Sequence, residues 1–206
     1  MIKAQGNATV LATHPWVERV AVARSGVLLQ FNADGVAALR RQGRLACIDA
    51  LQRRLAEQAI EAPSSWRLCD DWPEVQDPQH IDTLIRQPPP AHALLLADHT
   101  HADESLLQLR LPLELRHFTC HFPRLPVLPG VVQLAWALEL AAERLGTPRQ
   151  CRRIDMLKFQ RLLRPGDELQ LQLRHDAAAH KLHFAYRLGD GEASSGRFAW
   201  NSAEHD

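Results

Sequence analysis

Apolar and polar residues alternate from Val17 to Ala23 and again from Val27 to Phe31, with the turn signal Ser25-Gly26 between the two runs. Alternation places every second side chain on one face of an extended strand, so the pattern predicts a β-hairpin. The period then lengthens. Val36, Leu39, Leu45, Ile48, Leu51, Leu55 and Ile60 recur mostly three or four residues apart behind Asn32, a residue type that caps helix N-termini. This predicts a long helix broken near Gly43. Trp66 to Cys69, after Pro63, reads as a further short strand and completes a small α/β unit over residues 1–87.

Three consecutive prolines in Gln87-Pro-Pro-Pro-Ala-His-Ala93 favour an extended connector and predict a boundary near residue 90. The polar stretch from Ala97 to Glu104 extends this linker to residues 88–104, although the three leucines before it suit a short strand. From residue 105 to 206 the pattern changes again. It predicts a strand from Leu106 to Leu113, a proline-rich turn, one helix from Gly130 to a stop at Gly146, and strands Ile154–Phe159, Glu168–Arg174, Leu182–Leu188 and Gly196–Trp200. The helix is apolar on most sides, so the strands are expected to wrap it as an antiparallel sheet, an α+β arrangement.

Composition narrows the function classes. With 46% hydrophobic and 23% charged residues the chain is an ordinary globular one, and 24 Lys plus Arg balance 24 Asp plus Glu. No overall field draws it to nucleic acid or to an anionic membrane. Cys47, Cys69, Cys120 and Cys151 are widely spaced and form no CxxC pair, which argues against a zinc site or a disulfide framework and suits a reducing compartment. The first residues lack the apolar core of a secretory signal, and no run approaches the roughly 20 apolar residues of a membrane span. A cytoplasmic protein with no metal and no tightly held cofactor is expected.

The chemistry concentrates in His121-Phe-Pro-Arg-Leu-Pro-Val-Leu-Pro-Gly130. Pro123, Pro126 and Pro129 fix three backbone angles and remove three amide donors, which makes a stiff turn that presents His121 in a set direction. Gly130 opens the helix, where free backbone amides and the positive end of the helix dipole can polarise a carbonyl. A histidine and such an amide suit proton abstraction beside a carbonyl, since imidazole gives or takes a proton near neutral pH.

This stretch, continuing Val-Val-Gln-Leu-Ala135-Trp, closely resembles the signature of bacterial β-hydroxyacyl-[acyl carrier protein] dehydratases. Ile154-Asp-Met-Leu-Lys-Phe159 followed by Arg164-Pro-Gly-Asp167 resembles a second stretch of that family. The wording Pro126-Val-Leu-Pro-Gly-Val-Val-Gln-Leu134 and the late Ser194-Ser-Gly-Arg197 resemble the ApeI-like dehydratases of aryl polyene pigment pathways. The resemblance, over about residues 105–200, implies a hot-dog fold, a dimer, and lyase activity on β-hydroxyacyl thioesters carried on the phosphopantetheine of an acyl carrier protein. It implies His121 and the Gly130 backbone amide as catalytic groups, and Phe122, Pro129, Val131, Leu134 and Ala135 as residues lining the substrate.

One position departs from the family. An acidic residue five places after the motif glycine is implied as the second acid/base group, and here that place holds Ala135, whose methyl transfers no proton. Three accounts stand open: Glu139, one turn further along the same face, substitutes; a different hot-dog chain supplies the carboxylate; or the domain has lost turnover and serves as an acyl-binding or scaffold subunit. A thioesterase ranks below these, because hot-dog thioesterases also generally need a helix carboxylate. For Glu139 the reading as an ordinary solvated or ion-paired helix residue is favoured, and His117, outside the motif, reads as a packing or surface residue.

Residues 1–87 show a weaker resemblance to the C-terminal subdomain of adenylate-forming (AMP-dependent) acyl ligases, through Val10 to Val17, the hairpin, Arg40-Arg-Gln-Gly43 and Trp66-Arg-Leu. Gln79 stands near the place of the ligase lysine, so no chemistry is assigned to this half. A run including Arg152, Arg153 and Lys158 against Asp155 suits docking of an acidic acyl carrier protein, and equally an ordinary solvated strand face.

Overall fold

In the computed structural model, which describes residues 2–75 and 77–200, helix α1 (Ile2–Ala12) leads into the hairpin β1 (Val17–Ala23) and β2 (Gly26–Phe31). Helix α2 (Ala33–Ala56), strand β3 (Trp66–Cys69) and helix α3 (Pro78–Arg86) follow. β2 pairs antiparallel with β1 and parallel with β3, so it is the central strand. Its sequence Val-Leu-Leu is apolar on both faces because both are covered. Val27 and Leu29 pack with Leu11, Leu39, Leu51 and Leu55, while Leu28 packs with Ile81 and Ile85 of α3.

The predicted hairpin lies where the sequence places it, and the predicted helix starts behind Asn32 but ends at Ala56, so Ile60 lies outside it. Asn32 has extended backbone angles (φ −77°, ψ −177°), and its side chain accepts the Gly35 amide at 3.0 Å. Gly43 breaks α2 with φ 81° and ψ 169°, angles open to glycine at no steric cost. The sequence reading contained neither α1 nor α3. The latter is signalled by Asp77, which accepts the Gln79 and His80 amides, and by Pro78 in the first turn.

The second sheet has six antiparallel strands in the order β4-β5-β7-β8-β9-β6. They are β4 (Leu94–His101), β5 (Glu104–Arg110), β6 (Arg153–Phe159), β7 (Glu168–Asp176), β8 (Lys181–Leu188) and β9 (Gly191–Ala199). Leu107, Leu109, Leu171, Leu173, Phe184, Tyr186 and Phe198 form its buried side, against which lies helix α4 (Gly130–Leu145). α4 stops at Gly146 in the left-handed region (φ 66°, ψ 20°), as its glycine predicts.

Four expectations are corrected. Strand β4 occupies much of the expected linker 88–104; nearly all of its side chains are exposed, so it shows no alternation to read. β5 begins at Glu104 and ends at Arg110, ahead of Pro112, which has no amide to donate to a ladder. β9 begins at Gly191, because the small residues Ala193 and Ser194 are buried strand positions. α4 is not enclosed by its own chain: Val131 is 74% exposed and Ala135 is open to solvent.

The chain divides into one unit of Met1–His92 with Pro112–Val127 and another of Ala93–Leu111 with Leu128–Asp206. This departs from the division expected at residues 87 and 105. Residues 112–127 join the first unit by tertiary contact: Leu113 enters the core around Leu39 and Leu51, and its amide donates to Asp70 Oδ1 at 2.8 Å.

Candidate active site

His121 is half-buried in the stretch after a 3₁₀ turn at Arg116–Thr119. Its amide donates to the His117 carbonyl at 3.3 Å, and its own carbonyl accepts the Val127 amide at 2.9 Å. Between these, Phe122 and Leu125 exchange backbone hydrogen bonds of 3.2 and 3.0 Å, closing a tight loop. The His121–Phe122 peptide is cis.

The side chain is oriented by one hydrogen bond. His121 Nδ1 lies 3.1 Å from the Val127 carbonyl oxygen. A carbonyl only accepts, so Nδ1 carries the hydrogen and, in the neutral ring, Nε2 holds the free lone pair. The Phe122 ring stacks on the imidazole with centroids 4.2 Å apart, while remaining 54% exposed. The ring therefore has a defined tautomer, a fixed plane and an apolar neighbour, which suits a base.

Pro129 precedes α4 in an extended conformation (φ −57°, ψ 140°), with no side-chain cap. The opening amides of a helix have no intrahelical acceptor and carry its positive partial charge, so Gly130 and Val131 begin a terminus suited to a polarised carbonyl oxygen. A Cβ at Gly130 would lie 2.6 Å from Phe159 Cζ, so the residue allows the β6 side chain to close on the helix start. Val131, Ala135 and Glu139 follow at four-residue spacing along one face; Val131 and Ala135 are exposed, and Glu139 and the adjacent Leu134 are half-buried.

The basic positions are dispersed. Arg152, Arg153 and Lys158 are all exposed at or beside β6, but Arg153 Nε pairs with Asp155 at 2.8 Å. Arg149 reaches Glu143 at 4.0 Å, and Arg161 donates to the Leu188 carbonyl at 3.3 Å. His117 Nε2 lies 3.2 Å from the Ala91 carbonyl, and desolvation chiefly holds its imidazole below the ordinary range.

Sequence reasoning missed the groups that hold α4. Gln133 is 3% exposed; its Oε1 accepts Ser194 Oγ–H at 2.6 Å, its Nε2 donates to the Leu128 carbonyl at 3.2 Å, and its backbone carbonyl accepts the Tyr186 hydroxyl at 2.8 Å. Gln133 and Ser194 both lie in the two wordings that carried the resemblance. A buried polar pair links those distant wordings in the fold.

Residues 97–197 match the ApeI-like family, described as ApeI dehydratase. The chain is 36% identical to a chain of the dehydratase heterocomplex ApeI:P from Xenorhabdus doucetiae, with a TM-score of 0.50 over 52% of this chain and 96% of that one. An uncharacterized protein from Erwinia carotovora subsp. atroseptica is 32% identical, with a TM-score of 0.44 over 52% and 94% of the two chains. The 3-hydroxyacyl-[acyl-carrier-protein] dehydratase FabZ of Brucella ovis is 39% identical over 66 residues, which span 28% of this chain and 42% of that relative. The chain thus spans less than half the length of the curated relatives it matches. The second unit has the hot-dog fold of these dehydratases. The ligase-like resemblance of residues 1–87 lies outside the family's matched residues. Among the described residues no helix is long and apolar enough to cross a membrane.

Proposed function

The chain belongs to the ApeI-like dehydratase family, and from that premise we propose that it is the histidine-bearing half of a dehydratase for β-hydroxyacyl thioesters borne on acyl carrier protein. The single observation that carries the reading is the hydrogen bond from His121 Nδ1 to the Val127 carbonyl, which leaves Nε2 as the base. Nε2 takes the α-proton of the substrate, and the Gly130 amide stabilises the charge that develops on the thioester oxygen. The electron pair of the broken C–H bond forms the α,β double bond as the β C–O bond breaks. The hydroxyl leaves as water after protonation by a carboxylic acid.

That acid is not at Ala135. We assign it to a second hot-dog chain, paired with this one through the hot-dog unit. Support comes from the relative of Xenorhabdus doucetiae, a dehydratase heterocomplex, and from apolar side chains this chain leaves open: Val131 at 74%, Met156 at 63% and Phe159 at 50% exposed. Phe122, Pro129, Leu134 and Ala135 would line the acyl chain, and Arg152, Arg153 and Lys158 would steer the acidic carrier. The phosphopantetheine belongs to the carrier, so no separate cofactor is assigned. Fatty-acid-like or aryl polyene pigment synthesis in the cytoplasm is the setting this reading suits.

A second reading, a non-catalytic acyl-binding or scaffold subunit, is favoured by Ala135 itself. Purified chain is assayed with a β-hydroxyacyl carrier protein, alone and with a hot-dog partner that carries a helix acid. Turnover that needs the partner and is abolished by His121→Ala supports the proposal. Acyl-carrier binding with no turnover in any combination supports the scaffold, and turnover by the chain alone that survives His121→Ala overturns both.

A further inference from the structure

We infer that the first unit sets the orientation of His121, with Gly43 and Glu114 as positioning residues; the inference rests on the reading of His121 as the base. The motif loop and the N-terminal elements share one unit, and the ties between them are of three kinds.

The first is a buried ion pair. The Glu114 side chain is only 5% exposed and is paired from two sides, by Arg44 Nε and by Arg67 Nε at 3.4 Å. The arginines are themselves fixed, Arg44 to the Trp66 carbonyl at 2.6 Å and Arg67 to the Gln87 and Pro88 carbonyls at 3.2 and 3.3 Å. A carboxylate is buried only where charges and donors meet it, so this one locks the entrance of the loop onto α2, β3 and the proline seam.

The second is a backbone approach. A Cβ on Gly43 would stand 1.7 Å from the Pro123 carbonyl oxygen and 3.1 Å from Arg124 Cα, both main-chain atoms. The break in α2 therefore lies directly against the loop, two residues past His121. Glycine is required twice over, by its φ of 81° and by the space.

The third is a pair of tethers to main-chain carbonyls of the seam. The Arg116 amide donates to the Pro90 carbonyl at 2.9 Å, and His117 Nε2 meets the Ala91 carbonyl at 3.2 Å. The segment is tied at Leu113, Glu114, Arg116 and His117 ahead of His121, and beyond it the Pro123 backbone abuts Gly43. A rigid frame on both sides keeps Nδ1 on the Val127 carbonyl and Nε2 free. The first half of the chain thus acts as a clamp for the reacting residue.

The test uses the full chain labelled with ¹⁵N, in which imidazole nitrogen shifts report the His121 tautomer, assigned through His121→Gln. Wild type is expected to show Nδ1–H as the dominant neutral form. Gly43→Ala and Glu114→Gln are expected to give mixed tautomers and, with the partner present, a kcat about tenfold to a hundredfold lower at KM within about twofold. Leu45→Ala, at an exposed site on the same helix, should change neither. Unchanged His121 shifts in folded Gly43→Ala and Glu114→Gln overturn the inference. Should neither variant fold, hydrogen exchange of wild type decides: amides of Leu125 and Val127 opening together with Leu51 support the clamp, and opening independently of it overturns the clamp. Absence of dehydration by wild type defeats the functional reading instead, and leaves the tautomer measurement to judge the clamp.

Discussion

Ala135→Asp tests whether the chain keeps a pocket that lacks only its acid. The side chain at 135 is exposed on α4, so a carboxylate there buries no charge. Its cost is the helix preference of Ala over Asp, up to about 0.7 kcal/mol, equivalent to a melting shift of about 1 to 3 °C for a chain of this size. Restoring a positioned acid is worth about 10²- to 10⁴-fold in rate. In a pair of identical variant chains each His121 is expected to gain a carboxylate, so turnover should rise by at least about a hundredfold without any other partner. The assay follows loss of water from a β-hydroxyacyl carrier protein by mass. Ala135→Asn controls for shape and should gain nothing, and adding His121→Ala should erase the gain. A folded Ala135→Asp variant with no gain, or a gain shared by Ala135→Asn, refutes the idea that position 135 faces the reacting hydroxyl.

Three further outcomes can be checked. Ser194→Ala leaves Gln133 Oε1 buried without its donor and should cost about 1–3 kcal/mol in urea unfolding, whereas Tyr186→Phe removes one donor from a carbonyl inside a helix and should cost about 1 kcal/mol, so the order of the two is the test. Gly146→Ala, at φ 66° in open space, should cost about 1 kcal/mol in the same measurement, with Gly146→Asn costing less. Burial first, then Arg174 and Arg197, hold the His183 imidazole below its ordinary range. The neutral ring's contribution is then complete above the unfolded value near 6.5 and is lost as pH falls through the lowered folded value. Denaturant melts of His183→Gln at about pH 7.5 and about pH 5 should therefore show a smaller stability difference than wild type, and an unchanged difference would contradict this.

Local signals carried most of what the sequence revealed. The hairpin at Ser25-Gly26, the cap at Asn32, the break at Gly43 and the stop at Gly146 each depend on one residue's backbone preference, which is legible without neighbours. β4 was hidden because it is an outer strand with both faces open, so its polar residues imitate a connector. α1 has no acidic residue in its first turn and no basic residue in its last to announce it. The attachment of residues 112–127 to the first unit depends on Asp70, Arg44 and Arg67, 43 to 70 positions upstream of their partners, and no period or motif encodes such a contact. At the site, the proline spacing pointed to His121 and the glycine to the helix start. Which nitrogen is basic follows from the Val127 carbonyl, a backbone group invisible in a string of side chains.

The two outer strands of the large sheet are both irregular. β4 shifts register between Leu95 and Ala97, and β6 between Asp155 and Lys158, where Met156 takes a φ of 53°. A regular unpaired strand is an open template for any extended peptide, and a bulge removes that template by bending the row of donors and acceptors out of step. A stray segment from a half-folded neighbour therefore finds no long ladder to zip along at either rim. Only a surface already shaped to those bends can settle there, which spares the chain from fibrous self-addition despite the exposed Leu94, Leu95, Met156 and Phe159.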